Sequence, residues 1–170
     1  RRVSVPNDDN IKHLLNNEGE YEVKILRNAT AFGFSPNHRL DLVVNDLVYS
    51  ALENNKIEVL SDGSPIRPVV HIRDICKVIS YLIEEDESPA LLFNVGRNKM
   101  NYSIRDIALA VSKLTNIDHI TFGLPSGDKR SYKVDFTYFQ NLFPDLKLDY
   151  DLENGIIDLI DNYAAFSPGI

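Results

Sequence analysis

Residues 61–74 read Ser-Asp-Gly-Ser-Pro-Ile-Arg-Pro-Val-Val-His-Ile-Arg-Asp, and the interpretation of the whole chain starts from this stretch. The Asp-Gly-Ser-Pro cluster is typical of a tight turn, and the apolar run around His71 predicts a buried strand. Asp74 is placed to cap the next helix. The turn therefore brings Arg67 to the edge of a strand, where a guanidinium can bind a phosphate through two hydrogen bonds. A surface Arg paired with a neighbouring carboxylate fits the same spacing.

Strands and helices are mingled on both sides of this stretch. Apolar runs predict strands at residues 21–26, 57–60, 69–72, 91–95 and 120–122. Helical spacing and capping residues predict helices at residues 10–17, 40–54, 74–84, 103–114 and 151–166. Residues 28–39 are predicted to be a loop, and Ser103 with Asp106 has the form of a capping box. The pattern predicts one α/β unit over residues 1–170, without a regular series of βαβ repeats.

Composition excludes several classes of protein. The chain has 170 residues and a net charge of -7, from 18 Lys and Arg against 25 Asp and Glu. This balance argues against nucleic-acid binding, which needs a basic surface. No apolar run approaches the length that spans a membrane, so the chain is not expected to associate with one. The single cysteine, Cys76, fits a reducing, cytoplasmic location and is predicted to be a small buried hydrophobe.

The sequence contains no motif of a catalytic or cofactor site from which a reaction could be assigned. No three of the eight glycines form the Gly-x-Gly-x-x-Gly cradle that binds a dinucleotide pyrophosphate. No Tyr is followed four residues later by Lys, and the four histidines with Cys76 show no metal-ligand spacing. His71, which alternates with apolar residues, is predicted to be a hydrogen-bonded structural histidine.

Five segments, in order, resemble the extended short-chain dehydrogenase/reductase family of NAD-dependent sugar-nucleotide epimerases and dehydratases. Residues 62–74 follow the pattern Asp-Gly-x-x-x-Arg-x-x-x-His-x-x-Asp of its substrate-binding half. The other four segments are Ile-Leu-Arg-Asn-Ala-Thr-Ala-Phe-Gly at 25–33, Phe-Asn-Val-Gly at 93–96, Gly-Asp-Lys-Arg at 127–130 followed by Asp135, and Asp-Leu-Glu-Asn-Gly-Ile at 151–156. Together they cover almost the whole chain.

The resemblance implies the carboxy-terminal portion of a Rossmann-like enzyme, with few strands and several helices, which lacks the glycine-rich N-terminal half. Residues 1–36 would form the end of the dinucleotide-binding sheet, and residues 37–170 mainly the substrate-binding part. The family's catalytic Tyr-x-x-x-Lys should fall near residues 3–7, where the chain reads Val-Ser-Val-Pro-Asn. The resemblance therefore assigns no catalytic residue here.

The resemblance also implies roles for individual residues. Arg67 and Arg130 would bind the diphosphate of a nucleotide sugar, and the remaining substrate contacts would come from Thr30, Asn45, Arg39 and Tyr132. Asn28 and Ala29 would lie beside the nicotinamide and so contribute to cofactor binding. Several of these residues also have a non-functional interpretation. Arg39 and Asn45 could equally lie on a solvated helix face, and Tyr132 could serve only in packing. Arg130 could be an exposed residue beside Asp128.

The expected function is that of the substrate-binding portion of an NAD(P)-dependent sugar-nucleotide epimerase/dehydratase. NAD or NADP would serve the parent enzyme, and the chain alone is expected neither to bind it tightly nor to turn over. Expected partners are a nucleoside diphosphate sugar and either the missing N-terminal half or a second copy. The alternative is a non-catalytic module that binds sugar nucleotides or docks on a partner.

Overall fold

A computed structural model describes residues 24–84, 91–125 and 131–166. Within these ranges the chain forms seven strands and five α-helices in mixed order. The strands are β1 (Lys24–Asn28), β2 (Thr30–Phe32), β3 (Ile57–Val59), β4 (Ile66–His71), β5 (Leu91–Val95), β6 (Asn101–Ser103) and β7 (Ile120–Phe122). The helices are α1 (Val43–Asn54), α2 (Ile72–Glu84), α3 (Ile104–Thr115), α4 (Thr137–Leu142) and α5 (Leu152–Asp161), with short 3-10 turns at Asn98–Met100 and Tyr163–Phe166.

Pairing distributes these strands among three small sheets. β1 runs parallel to β5, β3 runs parallel to β7, and β4 lies between β2 and β6. The first half of β4, residues 66–68, pairs antiparallel with β6, and its second half, residues 69–71, pairs parallel with β2. Pro68, which has no N–H to donate, lies where the partner changes. Arg67 therefore lies on the half of β4 that faces β6, before the strand enters the core.

Two hydrophobic clusters hold these elements together. The larger one lies among α1, α3, α5 and β3, whose buried side chains recur at helical or alternating spacing. The smaller one packs α2 and α4 against β5 through the aromatic rings of Phe93, Phe139 and Phe143. Each fully buried side chain of this size contributes about 1.5–3 kcal/mol by leaving water. Both clusters lie next to β4, so they fix the strand that carries Arg67.

The α/β class and most predicted elements are confirmed. The strands predicted at residues 57–60, 91–95 and 120–122 are present to within one residue. The capping box is also confirmed: Ser103 Oγ accepts from the Asp106 N–H at 3.0 Å, and the Asp106 carboxylate accepts from the Ser103 N–H at 3.1 Å. Asp151 caps α5 by accepting from the Asn154 N–H at 2.8 Å. The helix predicted at residues 10–17 and the first residues of the strand predicted at 21–26 lie outside the described residues.

Several predicted boundaries are wrong. The loop predicted at residues 28–39 contains β2, which forms because it pairs in parallel with β4. The helix predicted from residue 40 begins at Val43, because the preceding residues form a turn. The strand predicted at 69–72 begins at Ile66, and the helix after it begins at Ile72 rather than near Asp74. The last helix ends at Asp161, and α4 was not predicted at all.

Two residue-level predictions are also wrong. Asp74 does not cap α2; it is 2% exposed, and its carboxylate accepts the backbone N–H groups of Asp149 and Tyr150 at 2.8 and 3.1 Å. Cys76 is exposed rather than buried, because the buried face of α2 is formed by Ile75, Val78 and their neighbours. Within the described residues, no helix has the length and apolarity needed to cross a bilayer.

Candidate functional site

A cavity of about 700 Å³ opens between the start of α1, the end of β3 and the first half of β4. Its apolar surface comes mainly from α1, β3 and α3. Its polar surface includes Arg67, Tyr132 and Thr30, three of the residues singled out in the sequence. The described lining residues are Thr30, Asp41, Leu42, Val43, Asp46, Leu47, Glu58, Val59, Leu60, Ser61, Pro65, Arg67, Ile104 and Tyr132.

Arg67 is the only Lys or Arg among the described residues that line this cavity. Its side chain is half-buried, Nη1 donates to the carbonyl of Ile66 at 3.0 Å, and the guanidinium carbon lies 5.9 Å from the centre of the Tyr132 ring. Tyr132 is held there because its N–H donates to the Ile66 carbonyl at 3.3 Å and the neighbouring Ser131 hydroxyl accepts from the Ile66 N–H at 3.0 Å. A loop distant in sequence is thus docked beside the first residues of β4.

The turn before β4 is fixed by the N-terminus of α3. The Ile104 and Arg105 N–H groups each donate at 2.9 Å, to the carbonyls of Pro65 and Gly63 respectively. The Arg105 guanidinium donates to the Asp62 carbonyl at 2.6 Å and lies 3.9 Å from the centre of the Phe122 ring. Gly63 has φ of +80°, and a Cβ there would come within 2.9 Å of both Arg105 and Phe122. The turn that precedes Arg67 is therefore held by packing as well as by hydrogen bonds.

Asn45 and Arg39 do not line the cavity, although the sequence pointed to both. Asn45 is 4% exposed; its Oδ1 accepts from the Gly33 N–H at 3.0 Å, and its Nδ2 donates to the Arg39 carbonyl at 3.2 Å. These bonds tie the loop before α1 to the helix. The Arg39 side chain is exposed and pairs with Asp41 at 2.7 Å, which holds the pKa of that carboxyl below its usual range.

The two predicted cofactor residues follow one another at the end of β1. Asn28 is exposed, whereas Ala29 is buried and its N–H donates to the Val95 carbonyl at 3.0 Å. Neither residue lines the cavity, but Thr30 does, so the end of β1 leads directly to it. Arg130 lies outside the described residues, and so do residues 3–7.

His71, the last residue of β4, is the most completely buried polar residue among those the structure describes. It is fully buried, its ring stacks on Tyr150 with centroids 3.8 Å apart, and Nδ1 accepts from the Arg73 N–H at 3.3 Å. Nε2 lies 3.4 Å from Asp158 Oδ2, and the same carboxylate also pairs with Arg73. His71 is therefore buried and hydrogen-bonded through Nδ1, as predicted, while Nε2 has no hydrogen-bond partner among the described residues; its structural role stays a prediction. Among the described residues, no group of three or more His, Cys, Asp or Glu side chains is arranged to hold a metal ion.

Sequence reasoning missed the carboxylates of the cavity. Asp41, Asp46 and Glu58 all line it, and burial raises the pKa of Asp46 above its usual range. Their positions at the start of a helix and in a short strand gave no sign of a shared cavity. Only the packing of α1 against β3 brings them together.

Comparison with known proteins relates the chain to a family and a fold. The model of the NAD dependent epimerase/dehydratase family matches residues 9–96. Three solved structures share the fold. UDP-glucuronic acid 4-epimerase from Bacillus cereus is 20% identical with a TM-score of 0.74, and the match covers 92% of this chain and 50% of that one. The NAD-dependent NDP-hexosamine 5,6-dehydratase TunA is 18% identical (TM-score 0.75; 91% of this chain, 50% of that one), and UDP-glucose 4-epimerase from Thermus thermophilus is 14% identical (TM-score 0.72; 93% of this chain, 51% of that one).

The chain spans about half the length of these solved structures, and at this level of identity they show the fold. The extended short-chain dehydrogenase fold expected from the sequence is confirmed. Because the family model covers just over half of the residues, this chain belongs to the NAD dependent epimerase/dehydratase family.

Proposed function

We propose that this chain is the substrate-binding portion of an NAD(P)-dependent sugar-nucleotide epimerase/dehydratase, and that it binds the nucleoside diphosphate in the cavity beside Arg67. The observation that carries the proposal is a guanidinium, fixed on β4 beside Tyr132, that faces a cavity of about 700 Å³. Ligand pockets of roughly 300–1,000 Å³ with apolar walls and a few fixed polar groups are typical of small-molecule sites. The Bacillus cereus relative was solved with UDP-glucuronic acid and NAD, which is consistent with this ligand class.

We further propose that Arg130 is the second ligand of the diphosphate. Ser131, the next residue in the sequence, is hydrogen-bonded to the first residue of β4. A diphosphate favours two cationic contacts, since each charge-assisted hydrogen bond is stronger than a neutral one. The charge of the diphosphate and the Gly-Asp-Lys-Arg segment at 127–130 support this role for Arg130.

Thr30 and Tyr132 are the proposed contacts for the sugar. Both line the cavity, and both carry hydroxyl groups that can donate and accept hydrogen bonds with a hydroxylated ligand. For Asn45 and Arg39 the geometry favours a positioning role, because their polar groups are engaged with Gly33 and Asp41 respectively.

The cofactor of the whole enzyme is proposed to be NAD or NADP, with Asn28 and Ala29 at the edge of its site. Two observations support a site that needs other residues: the given sequence holds no glycine pattern for the pyrophosphate, and the Ala29 N–H is already bonded within the sheet. We propose that the isolated chain binds NAD weakly and does not turn over; tight NAD binding in a calorimetric titration would contradict this.

Thermal stabilisation by nucleoside diphosphates tests the proposed function. A ligand that binds only the native state must raise the unfolding midpoint. The ligands to compare are UDP, GDP and their sugar derivatives. We expect Arg67→Ala to weaken the binding of the responsive ligand by about tenfold or more, the loss expected for a charge-assisted contact. Arg67→Lys should recover only part of this loss, because Lys cannot form the bidentate contact.

Lys133→Ala is the matched control. Lys133 is an exposed cation one residue from Tyr132, and it does not line the cavity. Its removal should leave ligand affinity nearly unchanged. Equal effects of Arg67→Ala and Lys133→Ala would mean that only long-range charge matters, and the assigned site would be wrong.

A non-catalytic module that binds sugar nucleotides or docks on a partner is the second candidate. The given residues contain neither the glycine pattern nor Tyr-x-x-x-Lys, so no catalytic residue among them separates this candidate from the first. The encoding reading frame separates the candidates: an upstream glycine-rich strand-helix unit with Tyr-x-x-x-Lys favours the enzyme. For the enzyme, we propose that the partner is the dinucleotide-binding half or a second copy of the chain.

A further inference from the structure

The cavity beside Arg67 carries three carboxylates, and two of them already have partners. Asp41 pairs with Arg39 at 2.7 Å, and Glu58 pairs with Lys56 at 3.0 Å. Asp46 forms no ion pair or side-chain hydrogen bond with any other described residue. Among the three, Asp46 is therefore the carboxylate whose acceptor sites are not engaged by another described residue.

The surroundings of Asp46 suit a planar or hydroxylated group rather than a phosphate. Asp46 is an exposed residue in the first turn of α1, and the apolar residues Leu42, Val43, Leu47 and Val59 line the same cavity. The helix N-terminus favours the ionised form, whereas partial burial raises its pKa. A carboxylate that has lost part of its hydration gains most from donors that a ligand brings.

We propose that Asp46 selects the nucleoside part of the ligand by accepting hydrogen bonds from two adjacent donors. This inference rests on the proposed function, because it takes the diphosphate to be bound by Arg67. Like charges exclude the phosphates from the neighbourhood of Asp46, so the two residues together set the direction in which the ligand lies.

Two parts of a nucleoside present such a donor pair. The ribose offers its vicinal 2′- and 3′-hydroxyl groups, and guanine offers its ring N1–H beside the 2-amino group. Uracil offers one N–H between two carbonyl acceptors, which a carboxylate would repel. An ionised carboxylate is an acceptor only, so either pair satisfies both of its oxygens.

Calorimetric titration of Asp46→Asn with matched nucleotides tests the inference. The probes are GDP, IDP (which lacks the 2-amino group), UDP, and the 2′-deoxy forms of GDP and UDP. For the wild-type chain, we expect removal of one donor to weaken binding by about tenfold or more, as for other hydrogen bonds to a charged group. Weaker binding of IDP than of GDP identifies guanine as the donor. Weaker binding of both 2′-deoxy forms than of their ribose counterparts identifies the ribose.

In Asp46→Asn, the difference in affinity that the wild type shows between these nucleotides should largely disappear. Removing a negative charge can also strengthen the binding of every nucleotide, so the ratio between probes, and not the affinity itself, is the decisive quantity. Asp145→Asn, an exposed change outside the cavity lining, should keep the wild-type ratios. Unfolding midpoints without ligand confirm that the variants are folded.

The outcomes separate this inference from the proposed function. Binding that is lost in Arg67→Ala while Asp46→Asn keeps the wild-type ratios overturns the role of Asp46 alone. Equal affinity of the wild type for all five probes also overturns the role of Asp46 alone. Failure of every nucleoside diphosphate to bind overturns both proposals.

Discussion

The environment of His71 makes the stability of the protein sensitive to acid. Burial lowers the pKa of His71 below its usual value of 6.5, and this effect exceeds the opposing attraction of Asp158. The histidine therefore binds a proton more readily in the unfolded chain than in the folded one. Where the unfolded state binds more protons, stability rises with pH.

We therefore expect the free energy of unfolding to fall as the pH drops below about 6.5, the ordinary pKa of histidine. His71→Asn should be less stable at neutral pH, because a buried stacked ring is lost, but its stability should vary less with pH in this window. Urea unfolding at a series of pH values measures both effects. His119→Gln, which changes an exposed histidine, should keep the wild-type pH dependence; the same flattening there would refute the assignment to His71.

Gly155 is required by close packing in α5. A Cβ at this position would lie 2.4 Å from Cε2 of Phe32 and 3.0 Å from Cδ2 of His71. Glycine to alanine in a helix normally gains up to about 1 kcal/mol, but here we expect a net loss of about 1–3 kcal/mol from overpacking. Chemical denaturation measures the change, and Asn154→Ala, at an exposed neighbouring position, should be nearly neutral. A Gly155→Ala variant as stable as the wild type would contradict this packing.

At the scale of elements, α3 positions the turn before β4. Its Arg105 combines a hydrogen bond to the Asp62 carbonyl with a stacked contact on Phe122. A cation–π contact of this kind contributes about 0.5–2 kcal/mol, and the hydrogen bond adds to it. The turn leads directly into Arg67, so a loss of order in the turn should reach the ligand site.

We expect Arg105→Ala to lower both the free energy of unfolding and the affinity for the ligand that Arg67 binds. Thermal unfolding with and without ligand measures the two effects separately. Lys113→Ala on the same helix removes an exposed pair with Glu153, which should contribute at most about 1 kcal/mol and leave affinity unchanged. If Arg105→Ala lowers stability but leaves affinity intact, the turn does not position the site.

At the scale of the whole molecule, the sheet that contains β1 is incomplete in the part of the chain that the structure describes. There β1 pairs with β5 alone, whereas parallel sheets are normally larger and covered on both faces. An open strand edge offers backbone groups to any other strand. We propose that a dinucleotide-binding half would pair with β1 at this edge.

We expect the isolated chain to self-associate increasingly as its concentration rises. Sedimentation velocity over a dilution series measures this association. The measurement should use Cys76→Ser, since the exposed thiol of Cys76 can form intermolecular disulfides that look like association. A monomer at every concentration would show that the edge of β1 is not available for pairing.

The sequence by itself determined the features that depend on neighbouring residues. Helical spacing, the capping box at Ser103, the cap at Asp151 and the turn before Arg67 all follow from local preferences, and the ordered motifs indicated the family. The tertiary structure alone decided which side chains share the cavity, why β2 forms within an expected loop, and which backbone groups Asp74 binds. These features depend on contacts between residues far apart in the chain, for which local patterns carry little information.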